Sequence, residues 1–380
     1  MSRRVGWAAT LFLWAGLSAL PLSGQTAGQP ESTGFQESHE TPEPTPTSER
    51  FTLHGYLTQA YAQSSDVPVY GMTKTGRADY RLLALQIRYA LDDDDEFVTQ
   101  VRHRHFGASP LIQFEPELAL VWAYYQRHFG PFSARVGRIP IEQGIYSETR
   151  FVGTLVPFFR APVTMYAEGV ESIDGASVYY TAPPVAGWTV QASASAGTSE
   201  FKDVLPFLTG LGLVDQVFYR DYVGQVWVDS PIPGVRVGGN THIFYERTDT
   251  TPRHRNETWT LSADATFDRL FVRAEHNQGK VPTFGTDVIG HYIQGGVRVL
   301  EPLTLTYQYE FLRLHFPTPS GPLSQRSRDR GAGVVYALRP SVHLKVERHR
   351  DTGYRFDTFV PLTSPALSTN YWISSFSTSF

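Results

Sequence analysis

Arginine side chains recur in short segments where polar and apolar residues alternate, and a guanidinium group is well suited to bind an anion. In residues 96–106, Arg102 and Arg104 share one parity, whereas Phe97 and Val101 share the other. Side chains of an extended strand point alternately to its two faces, so the arginines and the apolar residues lie on opposite faces. The spacing predicts a strand with one apolar face and one face that attracts anions.

Nearby segments repeat this arrangement. The further arginines that alternation assigns to the polar face are Arg88, Arg127 and Arg135. The assignment of Arg127 depends on placing four residues together on the apolar face, namely Leu118, Leu120, Trp122 and Tyr124. The alternative is that these arginines pair with carboxylates of the same polar face and only stabilise the fold. The acids that offer such pairing are Glu246, Asp264, Glu275, Glu310 and Glu347.

The elements that position these side chains are strands. From residue 51 onward, alternating runs of about ten residues are separated by connections that are alternately short and long, as in a membrane barrel. A soluble sandwich or propeller also gives alternation, but strands of this length are long for a soluble sheet. The sequence predicts an all-β fold, a transmembrane antiparallel β-barrel of about sixteen strands, with short periplasmic turns and longer outer loops.

The last ten residues support this prediction. Trp372, Phe376 and Phe380 share one face of a strand, whereas Tyr371 and Ile373 share the other with several serines. A chain that ends in an aromatic residue within such a strand resembles bacterial outer-membrane barrel proteins. That resemblance implies that Phe380 belongs to the signal read by the barrel-assembly machinery, which we expect as a partner.

The first fifty residues have a different composition. Residues 1–24 contain two arginines, a long apolar run and small residues, which is typical of a cleaved signal peptide rather than a membrane anchor. Residues 25–50 are rich in Gly, Pro, Glu, Ser and Thr, which predicts a disordered periplasmic linker before a barrel domain at 51–380. The chain has no cysteine, which excludes thiolate sites. Its net charge of -4 gives no indication of nucleic-acid binding.

A long connection at residues 139–174 carries Arg150 and Arg160 together with Phe158 and Phe159. So many aromatic residues are unusual in a solvated loop, and long loops in compact structures are usually functional. We expect this segment to fold into the barrel and narrow it. The alternative is an ordinary outer loop or a contact between subunits.

Part of this region resembles a known family. The residues that carry the resemblance run from Trp122 through Gly130-Pro131 to Arg138-Ile139-Pro140, and continue in Gly144 to Arg150 and Pro157 to Pro162. They are similar to the strand-turn-strand and constriction-loop region of the phosphate-selective and dicarboxylate-type trimeric porins of Gram-negative bacteria. The resemblance implies a sixteen-stranded barrel, a homotrimer and solute transport across the outer membrane. The lysine cluster of the phosphate-selective channels is not evident in this sequence.

A second set of arginines is expected on the outer face of the barrel. Arg326, Arg328 and Arg330 share their parity with Val334 and Tyr336, so they should lie above the apolar band. They can bind phosphates of outer-membrane lipid and lipopolysaccharide. A solvated rim is an equally good interpretation, because exposed charge runs are common.

These observations favour a passive channel over an enzyme. The predicted function is diffusion of small hydrophilic, anionic solutes through a lumen lined by seven arginines, which are Arg88, Arg102, Arg104, Arg127, Arg135, Arg150 and Arg160. The alternatives are a barrel hydrolase and a structural or adhesion barrel. We expect no cofactor and no metal site, although His103 and His105 share one strand face.

Overall fold

The computed structural model describes residues 50–109, 117–166, 171–201, 216–246, 254–282, 286–316, 321, 323–353 and 367–380. The predicted signal peptide and nearly all of the predicted linker lie outside these ranges. The described residues form sixteen strands. In chain order they are β1 Phe51–Ser64, β2 Arg77–Ala90, β3 Asp95–Phe106, β4 Glu117–Phe129, β5 Phe132–Pro140, β6 Ser172–Thr181, β7 Thr189–Phe201, β8 Gln216–Asp229, β9 Val235–Glu246, β10 Arg255–Thr266, β11 Leu270–Val281, β12 Thr286–Leu300, β13 Leu303–Phe316, β14 Leu323–Arg339, β15 Val342–Gly353 and β16 Leu367–Ser379.

Each strand pairs antiparallel with its neighbours in sequence, and β1 pairs with β16 to close the barrel. Closure leaves no free sheet edge, which is the requirement for strands in lipid. At the seam, Gly55 N donates to Phe380 O at 2.9 Å and Phe380 N donates to Gly55 O at 3.0 Å. The predicted fold class, a sixteen-stranded antiparallel barrel, is confirmed.

The alternation that predicted the strands also separates the two barrel surfaces. In β10, exposed and buried residues alternate: Trp259 and Leu261 are exposed on the outer face, while Thr258, Thr260 and Ser262 are buried on the inner face. The terminal strand follows the same rule, because Trp372 and Phe376 are exposed and Tyr371 and Ile373 are buried. An apolar outer surface is the one that lipid tails cover. No helix in the described part of the chain is long and apolar enough to cross a membrane.

A β-bulge changes the face assignment in β4. Gln100 pairs with Trp122, whereas the next residue of β3, Val101, pairs with Leu120, so Val121 is an extra residue. An extra residue reverses the side-chain parity beyond it. Leu118 and Leu120 therefore remain on the exposed face, but Trp122 and Tyr124 point inward, contrary to the sequence-based prediction, and are only 5% and 3% exposed.

Candidate functional site

The connection between β5 and β6 folds into the barrel over its described residues, 141–166 and 171; we call these residues the constriction loop. Its main chain reaches strands on the far side of the lumen. Gly144 N donates to Gln225 Oε1 of β8 at 2.7 Å, and Thr164 N donates to Glu310 Oε2 of β13 at 2.8 Å. Buried side chains of the loop include Tyr146, Phe158 and Phe159. The prediction that this segment is an in-folded constriction loop is confirmed.

Three wall carboxylates hold this loop by its backbone. Glu275 Oε1 accepts from Ile145 N at 3.0 Å, and Glu347 Oε1 accepts from Phe159 N at 2.7 Å. With Glu310, these acids come from β11, β13 and β15, and each is less than 5% exposed. A buried carboxylate must have its lone pairs satisfied, and the loop amides do this. In place of the alternative considered above, in which these three acids pair with the inward arginines, the structure shows them bonded to loop amides.

Lys345 also binds the main chain of the constriction loop, through its ammonium group. Lys345 Nζ donates to Val156 O at 2.6 Å and to Phe158 O at 2.8 Å. The side chain is 2% exposed, so water does not compete for these bonds. The main chain of the loop is thus bound by groups of both charges: carboxylates accept from its amides, and the Lys345 ammonium group donates to its carbonyls.

Neighbouring side chains hold Glu347 in position for this attachment. His349 lies on β15 two residues after Glu347 and bridges two acids. Its Nε2 is 3.1 Å from Glu347 Oε2, and its Nδ1 is 2.7 Å from Asp329 Oδ1. Its ring stacks on Tyr371 at 4.6 Å between centroids. Phe158 of the loop packs edge-on against the same imidazole at 5.5 Å. These partners fix the position of Glu347 before it meets the loop.

Three of the predicted arginines converge near the end of the loop. Arg102 and Arg104 of β3 point inward, as expected, and both donate to the carboxylate of Glu171. Arg150 of the loop approaches the same carboxylate at 3.2 Å. All three guanidinium groups also lie within 6.0 Å of the ring of Phe151. We call Arg102, Arg104 and Arg150 the arginine cluster; the structure brings together residues that are distant in sequence.

Arg135 also points inward but holds a different part of the loop. Its guanidinium group donates to Gln126 Oε1 at 2.5 Å, Glu148 Oε1 at 3.2 Å and the hydroxyl of Tyr179 at 3.1 Å. It stacks between Tyr124 and Tyr179, with its carbon 4.9 and 4.5 Å from the two ring centroids. These contacts make Arg135 a link between the wall and the first half of the loop.

Burial has a clear electrostatic effect at the beginning of the loop. Glu142 is 2% exposed and accepts a hydrogen bond from Ser193 Oγ. Burial raises the pKa of Glu142 to about 7, although the charge of Arg135 and the bond from Ser193 act in the opposite direction. This carboxyl group therefore changes its charge near neutral pH.

Arg160 and Arg88 make contacts that differ from those of the arginine cluster, although Arg160 lines one cavity with Arg150 and Phe151. Arg160 lies between two aromatic rings, 5.2 Å from the centroid of Tyr70 and 5.0 Å from that of Phe106. Arg88 is on the inner face of β2, and its Nη1 is 3.7 Å from Glu96 Oε2. Neither is placed beside Glu171 by the contacts described above.

The prediction that Arg127 faces the lumen is wrong. The bulge at Val121 moves Arg127 to the outer face, where its side chain is 57% exposed and pairs with Asp95 at 3.1 Å. An outward arginine near the short turns contributes little to the field inside the barrel. The same bulge brings Gln126 inward, where it meets Arg135.

Other predictions have mixed placements. Asp264 does pair with arginines, lying 3.1 Å from Arg236 Nη2 and 3.3 Å from Arg273 Nε, whereas the side chain of Glu246 lies outside the described residues. His103 accepts from Arg81 Nε at 3.0 Å on the outer face. Among the described residues, no group of three or more His, Cys, Asp or Glu side chains is arranged to hold a metal ion.

Sequence reasoning missed Glu171 and Lys345, which organise the cluster and the loop attachment. Glu171 stands just before β6 with no distinguishing neighbours in sequence. Lys345 had a usable signal, since it is a lysine on the inner parity of a strand whose outer residues are Leu344 and Val346. An inward lysine requires a partner, and the partner is the loop main chain.

Comparisons with known proteins support the fold. No family model matches the chain, and no curated protein sequence matches it. OprB of Pseudomonas putida has a TM-score of 0.59 at 11% identity, covering 88% of this chain and 95% of its own. The anion-selective porin of Comamonas acidovorans has a TM-score of 0.52 at 11% identity, and the match covers 87% of this chain and 99% of the porin. OmpT of Vibrio cholerae, described in a trimer form, has a TM-score of 0.50 at 11% identity, and the match covers 87% of this chain and 99% of OmpT.

Identities this low establish the fold alone. Among the structural neighbours, one is described as an outer-membrane protein and another as an anion-selective porin. The predicted resemblance to outer-membrane porins is therefore confirmed at the level of the barrel, and an outer-membrane location agrees with these neighbours.

Proposed function

We propose that this protein is an outer-membrane channel for passive diffusion of small hydrophilic, anionic solutes, and that it is not an enzyme. The observation that carries the proposal is the arginine cluster, which lies beside a loop folded across the lumen. A channel of this kind selects by size and by the charges that line its narrowest part. In this proposal, the arginine cluster contributes positive charge close to the narrowest part.

The net charge of -4 does not decide the selectivity. A permeating ion responds to charges within about one Debye length, roughly 8 to 10 Å at physiological salt. Of the wall acids opposite, Glu275, Glu310 and Glu347 are bonded to loop amides, so the loop lies between them and the open path. Moderate anion preference that weakens at high salt follows from this arrangement.

Homotrimeric assembly belongs to the same proposal. It is supported by the resemblance of the constriction region to trimeric porins and by the trimer form of Vibrio cholerae OmpT, which has the same fold. Cross-linking of the native membrane should give a band at three times the mass of the chain. A band at the monomer mass only would contradict this part.

The reversal potential across a planar bilayer with a potassium chloride gradient tests the selectivity. The wild-type channel should prefer chloride, and Arg102→Gln with Arg104→Gln should shift the reversal potential toward the potassium side. The matched control is Arg138→Gln with Arg255→Gln, which removes the same charge from the outer face. A wild-type preference for potassium, or an equal shift in the control, would refute the assignment.

The same recording separates the proposed channel from the two alternatives. An open channel conducts ions at a level set by its constriction, whereas a barrel with a closed lumen, whether a hydrolase or a structural protein, gives no steady conductance. Absence of conductance from correctly assembled protein would overturn the proposal as a whole.

A further inference from the structure

We propose that the outer surface of β13, β14 and β15 is a binding site for the phosphate groups of lipopolysaccharide. The site consists of six arginines on the lipid-facing parity of these strands, which we call the outer arginine patch. Its members are Arg313, Arg326, Arg328, Arg330, Arg348 and Arg350. All but Arg313 are exposed, and Arg313 is half-buried. The inference is independent of the channel proposal, since none of these side chains faces the lumen.

The strand register brings these arginines directly against one another. Arg313 of β13 pairs with Arg326 of β14, and Arg330 of β14 pairs with Arg350 of β15. Directly opposite residues on one face have Cβ atoms about 4.5–5.5 Å apart, and like charges at this distance destabilise a sheet. Two such pairs on adjacent strands favour the binding of counter-anions.

The protein itself does not supply that anion in the part the structure describes. Among the described residues, no carboxylate lies within ion-pair distance of any member of the patch. Other outward arginines are different: Arg127 pairs with Asp95, Arg138 with Asp174 and Arg255 with Glu257. The described part of the chain therefore leaves the patch with a positive charge that an external anion can balance.

The height of the patch on the barrel identifies the source of that charge. A tilted strand climbs about 2.5 Å per residue, so Arg350 lies roughly 22 Å above the turn at Ser341, close to the outer edge of an apolar band about 25 Å tall. Below it, Leu344 and Val346 of β15 and Val334 of β14 are exposed apolar residues. Lipid acyl chains cover the lower residues, and lipid phosphates lie at the height of the arginines.

Aromatic side chains lie close to two members of the outer arginine patch. The guanidinium carbon of Arg328 is 5.9 Å from the ring centroid of Phe311, and that of Arg330 is 6.0 Å from the ring centroid of Tyr309. Cation–π contacts of this kind restrain the two side chains at the surface. Several guanidinium groups then form charge-assisted hydrogen bonds with one phosphorylated head group.

A second copy of this chain is a poorer occupant. A contact between equivalent patches would bring two sets of arginines together and increase the repulsion. Inorganic phosphate is also excluded as the intended ligand, because the patch continues directly into an apolar surface that suits acyl chains. A phosphorylated lipid satisfies both the charged and the apolar parts.

The test compares lipid binding by assembled barrels in mild detergent, using native mass spectrometry with purified lipid A that carries two phosphates. The variant is Arg328→Gln with Arg330→Gln and Arg350→Gln. Each basic residue near an anionic surface contributes on the order of fivefold in affinity, so we expect binding to weaken by at least about tenfold. The control is Arg127→Gln with Arg138→Gln and Arg255→Gln, which removes three outward arginines that have acidic partners and should leave binding within about twofold.

Two further arms keep the proposal falsifiable if the variant assembles poorly. Wild-type protein should bind dephosphorylated lipid A at least about tenfold more weakly, and inorganic phosphate at equal concentration should not displace the lipid. Equal binding of lipid A with and without phosphates would overturn the proposal, as would an equal loss in variant and control. If the variant instead loses its oligomeric state while retaining lipid A, the patch is a subunit contact and the proposal is wrong. Reversal potentials of the variant should match the wild type, which separates this test from the channel proposal.

Discussion

Replacement of Lys345 by methionine should loosen the constriction loop without opening the barrel. The substitution removes the two hydrogen bonds from Nζ to Val156 O and Phe158 O, at 2.6 and 2.8 Å. A hydrogen bond from a charged donor contributes about 1.5–3 kcal/mol, so the pair holds the closed loop by at least about 3 kcal/mol. Since about 1.4 kcal/mol corresponds to a factor of ten, the open population should rise roughly a hundredfold.

Amide hydrogen exchange measures this opening directly. The amides of Phe159 and Thr164 are protected only while they donate to Glu347 and Glu310, so their exchange should accelerate by about the same factor. The matched control is Lys280→Met, which removes an exposed lysine of the outer face and should leave loop exchange unchanged. Wild-type exchange rates in Lys345→Met would refute the claim that this lysine holds the loop.

Two further predictions concern barrel closure and pH. Deletion of Phe380 removes both hydrogen bonds to Gly55 at the seam, so it should reduce the heat-modifiable, protease-resistant form in the outer membrane; normal assembly would contradict the role assigned to the last residue. Burial raises the pKa of Glu142 to about 7, so its burial is tolerated at pH 5 and becomes costly as pH rises through 7. Amides at the beginning of the loop should therefore exchange faster at pH 8 than at pH 5 after correction for intrinsic rates, and Glu142→Gln should remove the difference; a difference that persists in Glu142→Gln would exclude this carboxyl as its source.

Strand periodicity predicted much of the barrel correctly. In β3 the period of two is unbroken between Phe97 and Phe106, so the inward orientation of Arg102 and Arg104 followed from the sequence. In β4 the extra residue is Val121, an apolar residue among apolar residues, and nothing in composition reveals that it shifts the parity. The misplacement of Arg127 follows from that single residue.

Long-range partners were beyond the reach of periodicity. Glu275, Glu310 and Glu347 were assigned to the inner face from alternation, and all three are buried there. Their partners, however, are main-chain amides more than a hundred residues away along the chain. Backbone donors look the same at every position in a sequence, so only the folded path of the loop shows which amides the acids meet.

The attachment of the constriction loop by its main chain leaves its side chains open to change. The wall acids and Lys345 bind amides and carbonyls, which every residue except proline supplies in full. Substitutions within the loop can therefore alter the size and charge of the passage while the loop stays anchored. One barrel can in this way be adapted to different solutes by exchanging a few loop residues, without redesign of the wall that carries them.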